Sequence, residues 1–187
     1  MNNKELCKVY IADCCDEGGV YCYSLLDSLK LVQKNFTPMK SPMFLNVRGD
    51  KLDVVLRSED QFDGDSATVT YIIDNDGGLH LPTNLKSTYG KIGCHICSFN
   101  DDVYTANYIS GSISKQGDRA VQHYGFGPNA VRQDAAHCHF VYPSPDNKYL
   151  LAVDLGNDTI YTYDFDLQEV AFAKVPLGHG CRHLAYS

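Results

Sequence analysis

Three short phrases gather the residues most capable of chemistry in this chain: Gly93-Cys94-His95-Ile96, His137-Cys138-His139-Phe140 and Cys181-Arg182-His183-Leu184. Each carries an imidazole, whose unperturbed pKa of about 6.5 suits proton transfer near neutral pH, close to a thiol. Cys94-His95-Ile96-Cys97 has the spacing of half a zinc site, yet no second half of similar spacing accompanies it. On a strand, residues three apart point to opposite faces, so Cys94 and Cys97 are expected as packed thiols and no metal is expected. Arg182 stands where the other two phrases have Cys94 and Cys138, and a charge replacing a thiol needs a partner or a ligand.

The elements that must position these groups follow from the spacing. His95, His139 and His183 lie 44 residues apart each time, and Pro42-Met43-Phe44-Leu45 is an upstream copy without the histidine. Such a period, filled with short alternating runs of aliphatic and aromatic residues, predicts four-stranded antiparallel blades repeated around an axis, an all-β propeller. Blades are expected at about 1–41, 42–91, 92–135 and 136–181, with 182–187 opening a further inner strand, sixteen strands in all. The only stretch arguable as helix, 25–33, reads better as a turn and a strand. The first blade lacks an innermost strand that the last segment could supply, within the chain or in a partner, so a homo-oligomer is expected. Because the three histidines share one period, recurrence alone makes them packing residues first.

A chain of 187 residues suffices for one well-buried core, so a single domain is expected. Its net charge of −7 and scattered basic residues offer no field for a phosphate backbone, which argues against nucleic acid. The polar opening and the lack of a long apolar run argue against a leader or a membrane span, so a cytoplasmic protein is expected, with its eight cysteines reduced.

One connection is long among short ones: Gly125-Phe-Gly-Pro-Asn-Ala-Val-Arg-Gln-Asp-Ala-Ala-His137, between blades three and four. Long loops on rigid scaffolds tend to carry function. With Tyr104 to Ser112, Ser144 to Tyr149, Asp154 to Ile160 and Gly180-Cys-Arg-His183, it resembles the propeller-type 6-phosphogluconolactonase family. The resemblance implies a seven-bladed fold, of which this chain is about half, and action on a small sugar-phosphate lactone without metal or organic cofactor. It also implies a histidine, an arginine and a glutamate in the central cleft. The histidine matches His139 and the arginine matches Arg182, whereas the glutamate falls beyond Ser187. Gly180-Cys181-Arg182 departs from the family in having cysteine where proline is usual.

On that footing His139 is the candidate base for water attack on the lactone carbonyl, and Arg182 the group that stabilises the oxyanion or holds the phosphate. Arg132 is a second anion contact. Gln133, His137 and Asn107 are further candidates for binding substrate, although Asn107 and Asp154 share a strand-end position that could equally serve a turn. The competing expectation is a propeller piece that binds a small anionic metabolite or a protein without catalysis.

Overall fold

The computed structural model describes residues 3–187. Met1 and Asn2, counted above in blade one, lie outside the described residues. Among the described residues fifteen strands form four antiparallel sheets, each in simple up-and-down order. The first sheet holds β1 (Glu5–Asp13), β2 (Gly19–Leu26) and β3 (Leu31–Pro38). The second holds β4 (Pro42–Arg48), β5 (Lys51–Leu56), β6 (Ala67–Ile73) and β7 (Leu79–Ser87). The third holds β8 (Gly93–Phe99), β9 (Asp102–Asn107), β10 (Ser112–Lys115) and β11 (Arg119–Gln122). The fourth holds β12 (Cys138–Pro143), β13 (Leu150–Asp154), β14 (Thr159–Tyr163) and β15 (Glu169–Lys174). Among the described residues the only helical element is one 3₁₀ turn, Asp60–Phe62.

The strands form because their β-branched and aromatic residues fit a pleated surface that is covered on both faces by the neighbouring blades. Val20, Leu52, Val54, Leu56 and Val69 fill the space between blades one and two. Val55, Ile96 and Val103 lie between two and three, and Tyr104, Ile113, Val141, Leu150 and Tyr163 between three and four. Outer strands such as β15 are exposed throughout, which is why β5, β9 and β13 read as apolar runs and β15 does not. Cys94 and Cys97 both join the core between blades three and four, where burial pushes both thiols far up, Cys94 to about 12. The expected placement on opposite faces fails because a bulge between Gly93 and His95 adds a residue and changes the alternation.

The expected sixteenth strand is absent: Arg182–Tyr186 has no ladder partner. Inner strands pair with the strand that follows them, as β4 does with β5, β8 with β9 and β12 with β13, and no such strand accompanies 182–187 among the described residues.

The bulges set the register of the whole repeat. Pro42 and Phe44 oppose Leu56 and Val55, Gly93 and His95 oppose Asn107 and Ala106, and Cys138 and Phe140 oppose Asp154 and Val153. The skipped residue is Met43 in blade two, Cys94 in blade three and His139 in blade four. His95 therefore corresponds to Phe44 and Phe140, not to His139, and the 44-residue histidine period is displaced by one residue from the structural repeat.

Candidate functional site

The inner strands carry a file of rings that marks the axis side of the blades. Phe44 and His95 are 4.4 Å apart between ring centroids, His95 and Phe140 4.2 Å, and Phe140 and His183 5.8 Å. Arg182 thus precedes His183 in the ring file as His139 precedes Phe140, and the two side chains meet: Arg182 Nη2 lies 3.1 Å from His139 Nε2.

A guanidinium can only donate, so Nε2 of His139 is the acceptor and the ring proton sits on Nδ1. That Nδ1 is buried and has no partner, which leaves Nε2 as the reactive edge. The ring is held edge-on by Tyr108 at 5.7 Å and by His183 at 5.2 Å. Burial first, and then the charge of Arg182, hold the His139 imidazole below its usual 6.5, so at neutral pH it is uncharged with a free-base nitrogen facing the arginine. Arg182 itself is exposed.

Beside this pair opens a cavity of about 240 Å³ lined by Asn129, Arg132, Gln133, Leu155, the Gly178-His179-Gly180 turn and Arg182. Two guanidinium groups and an imidazole face it, and no carboxylate lines it. Such a lining favours a compact anion that can take parallel hydrogen bonds from a guanidinium.

The remaining sequence candidates fall outside direct reach of this space or serve its walls. Gln133 is fully buried; its Nε2 donates to the Leu155 carbonyl at 2.9 Å and its Oε1 accepts from the Asn129 amide at 3.2 Å. Gly127 is required beside it, since a Cβ there would lie 2.4 Å from Gln133 Cδ. His137 stacks on Tyr108 at 4.5 Å, donates from Nδ1 to the Tyr108 carbonyl at 3.0 Å, and has Nε2 3.0 Å from Asp134. Asn107 lies inside blade three, where its amide donates to the Thr88 carbonyl and the Ser112 hydroxyl at 3.3 and 3.2 Å. The structure thus brings together His139, Arg182 and Arg132, with Gln133 as part of the floor, and keeps His137 and Asn107 in internal contacts.

Sequence reasoning passed over the network that holds the long loop. Asp154 Oδ1 accepts the backbone N–H groups of His137, Gly156 and Asn157 at 2.8, 2.9 and 3.2 Å, and its Oδ2 lies 2.8 Å from His123 Nδ1. His123 completes the link through Nε2, 3.0 Å from the Tyr163 hydroxyl. The strand-end aspartate was legible as a turn former; a partner 31 residues upstream was not. Among the described residues no three His, Cys, Asp or Glu side chains are arranged to hold a metal ion.

Four antiparallel blades in up-and-down order define a β-propeller, and the comparisons place that fold in a family. Residues 8–187 match the family described as Lactonase, 7-bladed beta-propeller, and the chain belongs to that family. It is 31% identical over 183 residues to the 6-phosphogluconolactonase of Bacillus subtilis (strain 168), covering 90% of this chain and 52% of that protein. A crystal structure from Bacteroides fragilis superposes with a TM-score of 0.83 at 25% identity, over 95% of this chain and 57% of that one. The Pseudomonas aeruginosa periplasmic gluconolactonase PpgL shares the fold, with a TM-score of 0.79 at 22% identity over 97% of this chain and 59% of its own. The chain spans about half the length of the relatives it matches. Among the described residues no helix is long and apolar enough to cross a membrane.

Proposed function

We propose that this chain carries the histidine and arginine of a lactone-hydrolysing site, and that its substrate is a sugar-phosphate lactone resembling 6-phosphogluconolactone. The observation that carries the reading is the 3.1 Å contact between Arg182 and His139 Nε2 at the edge of a cavity whose lining includes Arg132 and Arg182. In the empty site Arg182 holds the lone pair of His139. An arriving carbonyl or phosphate oxygen competes for the guanidinium and frees Nε2 to accept a water proton. The water oxygen bonds to the lactone carbonyl carbon, charge collects on the carbonyl oxygen, and Arg182 stabilises that oxyanion. The ring C–O bond then breaks, and the proton on His139 passes to the leaving alkoxide, giving the open hydroxy acid. Arg132 holds the phosphate end, while Gln133, His137 and Asn107 keep the loop and blade three in shape around it.

The experiment is a stopped assay with freshly made 6-phosphogluconolactone, following acid release against spontaneous opening. Wild type should exceed the blank, and His139→Ala should lower kcat by about 100- to 10,000-fold, the usual worth of a positioned general base. Arg182→Ala should lower kcat/KM. Wild-type and variant rates equal to the blank end the proposal.

A second reading is favoured by one fact, that the chain covers 52% of its bacterial relative. A partial propeller could bind a small anionic metabolite or a protein partner without turning it over. Calorimetric binding of 6-phosphogluconate, lost in Arg132→Ala and Arg182→Ala, with no rate above the blank would select it. In either reading we propose a cytoplasmic homo-oligomer, in which a partner strand completes the first sheet, three-stranded among the described residues where the other sheets have four strands. A monomeric mass by light scattering removes that part.

A further inference from the structure

A second buried carboxylate, unused by the mechanism, binds the segment that leads to Arg182. Asp158 is fully buried just before β14 and adopts a left-handed backbone with φ of 54°, a conformation uncommon outside glycine but accessible to aspartate. Its Oδ2 accepts the Gly178 N–H at 2.6 Å and its Oδ1 the Gly180 N–H at 2.7 Å, while its carbonyl takes the Val175 N–H at 2.9 Å. Those three bonds grip the irregular segment that ends in Arg182. Gly178 and Gly180 both have positive φ, at 81° and 57°, and within the segment the backbone makes one long turn bond, His179 N–H to the Pro176 carbonyl at 3.3 Å. Burial would push the Asp158 carboxyl up, but the two amide donors, helped by Gln133 nearby, bring it below its usual 3.8, and it is ionised at neutral pH.

We propose that Asp158 is a positioning residue that fixes Arg182 against His139 by fastening the 175–182 segment through both carboxylate oxygens. This rests on the reading of His139 and Arg182 as the reactive pair. Both oxygens are needed because two N–H donors converge on them. An asparagine offers one oxygen and turns an NH2 group toward the other donor, so Asp158→Asn breaks one tie while nearly preserving shape.

The test is a double-mutant cycle read on His139. With ring-labelled histidine, the His139 titration is followed by NMR in wild type, Asp158→Asn, Arg182→Ala and the double variant. Arg182→Ala removes a nearby positive charge and should raise the His139 pKa. Asp158→Asn should raise it as well, by letting the guanidinium drift, and the double variant should titrate where Arg182→Ala does. On lactone turnover, Asp158→Asn should lower kcat/KM roughly tenfold, the value of one charge-assisted hydrogen bond, and less than twofold in the Arg182→Ala background. A His139 titration unmoved by Asp158→Asn, or effects that simply add, would overturn the proposal. Asp158→Ser, which keeps one acceptor, is measured alongside; loss of the folded near-UV spectrum in both variants would assign the carboxylate to global stability and equally overturn it. Absence of turnover in wild type would sink the lactonase reading alone, because the titration still decides the role of Asp158.

Discussion

His95 gives the sharpest prediction, because the register assigns it to a place that two other blades fill with phenylalanine. Its ring lies between Phe44 and Phe140, is 4% exposed, and has a buried Nδ1 without a partner. Burial, with His183 and His139 nearby, depresses its pKa from 6.5 to about 3. The unfolded chain therefore binds a proton near pH 6.5 that the folded chain refuses until far lower pH, and stability falls as pH drops through that window. Over the 1.5 units from pH 6.5 to 5, at about 1.4 kcal/mol per unit, the loss from this one residue is about 2 kcal/mol. His95→Phe removes the titration and continues the ring file. Urea unfolding at pH 7.5 and pH 5 should show the variant gaining about 2 kcal/mol on wild type between the two conditions, about 1 M in midpoint for a slope of about 2 kcal/mol/M. The comparison with wild type cancels the contributions of the other histidines. Equal pH dependence in the two proteins would mean that His95 is solvated or protonated in the fold, and the register argument would fail with it.

Two further predictions concern the residues around the site. Asp154→Ala strands three backbone donors and the His123 ring in a buried space, and should lower unfolding free energy by about 3–5 kcal/mol; Asp154→Asn keeps the Oδ1 bonds and should cost less than half as much, a difference read from urea midpoints. His139→Cys places at the blade-four bulge the residue that blade three already carries there as Cys94, so its thermal midpoint should stay within a few degrees of wild type, about 1 kcal/mol, while lactone turnover falls to the level of His139→Ala.

Much of the fold was legible because a propeller repeats its instructions: apolar alternation, turn residues, and a recurring inner phrase delimit each blade. What could not be read was the single-residue insertion inside the phrase. His95 to His139 is 44 positions, whereas His95 to its structural counterpart Phe140 is 45, and a histidine happens to stand on each side of that difference. Spacing cannot distinguish the two, because a bulge leaves composition unchanged and alters only which residue opposes the next strand. Arg182 was legible because a charge in a run of thiols and rings demands a reason. Asp154 and Asp158 were not, because an aspartate beside Gly156 and Asn157 satisfies the turn that it sits in without revealing that its oxygens reach Gly178, Gly180 or His123.

The displacement by one residue bears on why the site sits where it does. A residue inside the ladder has its neighbours fixed on both sides, and in this repeat that place is filled by Phe44, His95 and Phe140, rings that stack along the axis. The bulged residue has no cross-strand partner, so the sheet places little demand on its side chain. Met43 and Cys94 occupy it in blades two and three, with Cys94 turned into the core, and His139 in blade four, while Arg182 stands before His183 of the ring file without a ladder. The ring file and the His139–Arg182 contact thus fall to adjacent positions of one phrase. The ring after the bulge holds neighbouring blades at a fixed separation, and that separation is what brings a free-base nitrogen and a guanidinium from two successive phrases to 3.1 Å. Recurrence, which at the level of sequence grouped His139 with His95 as a packing residue, separates the two once the register is known.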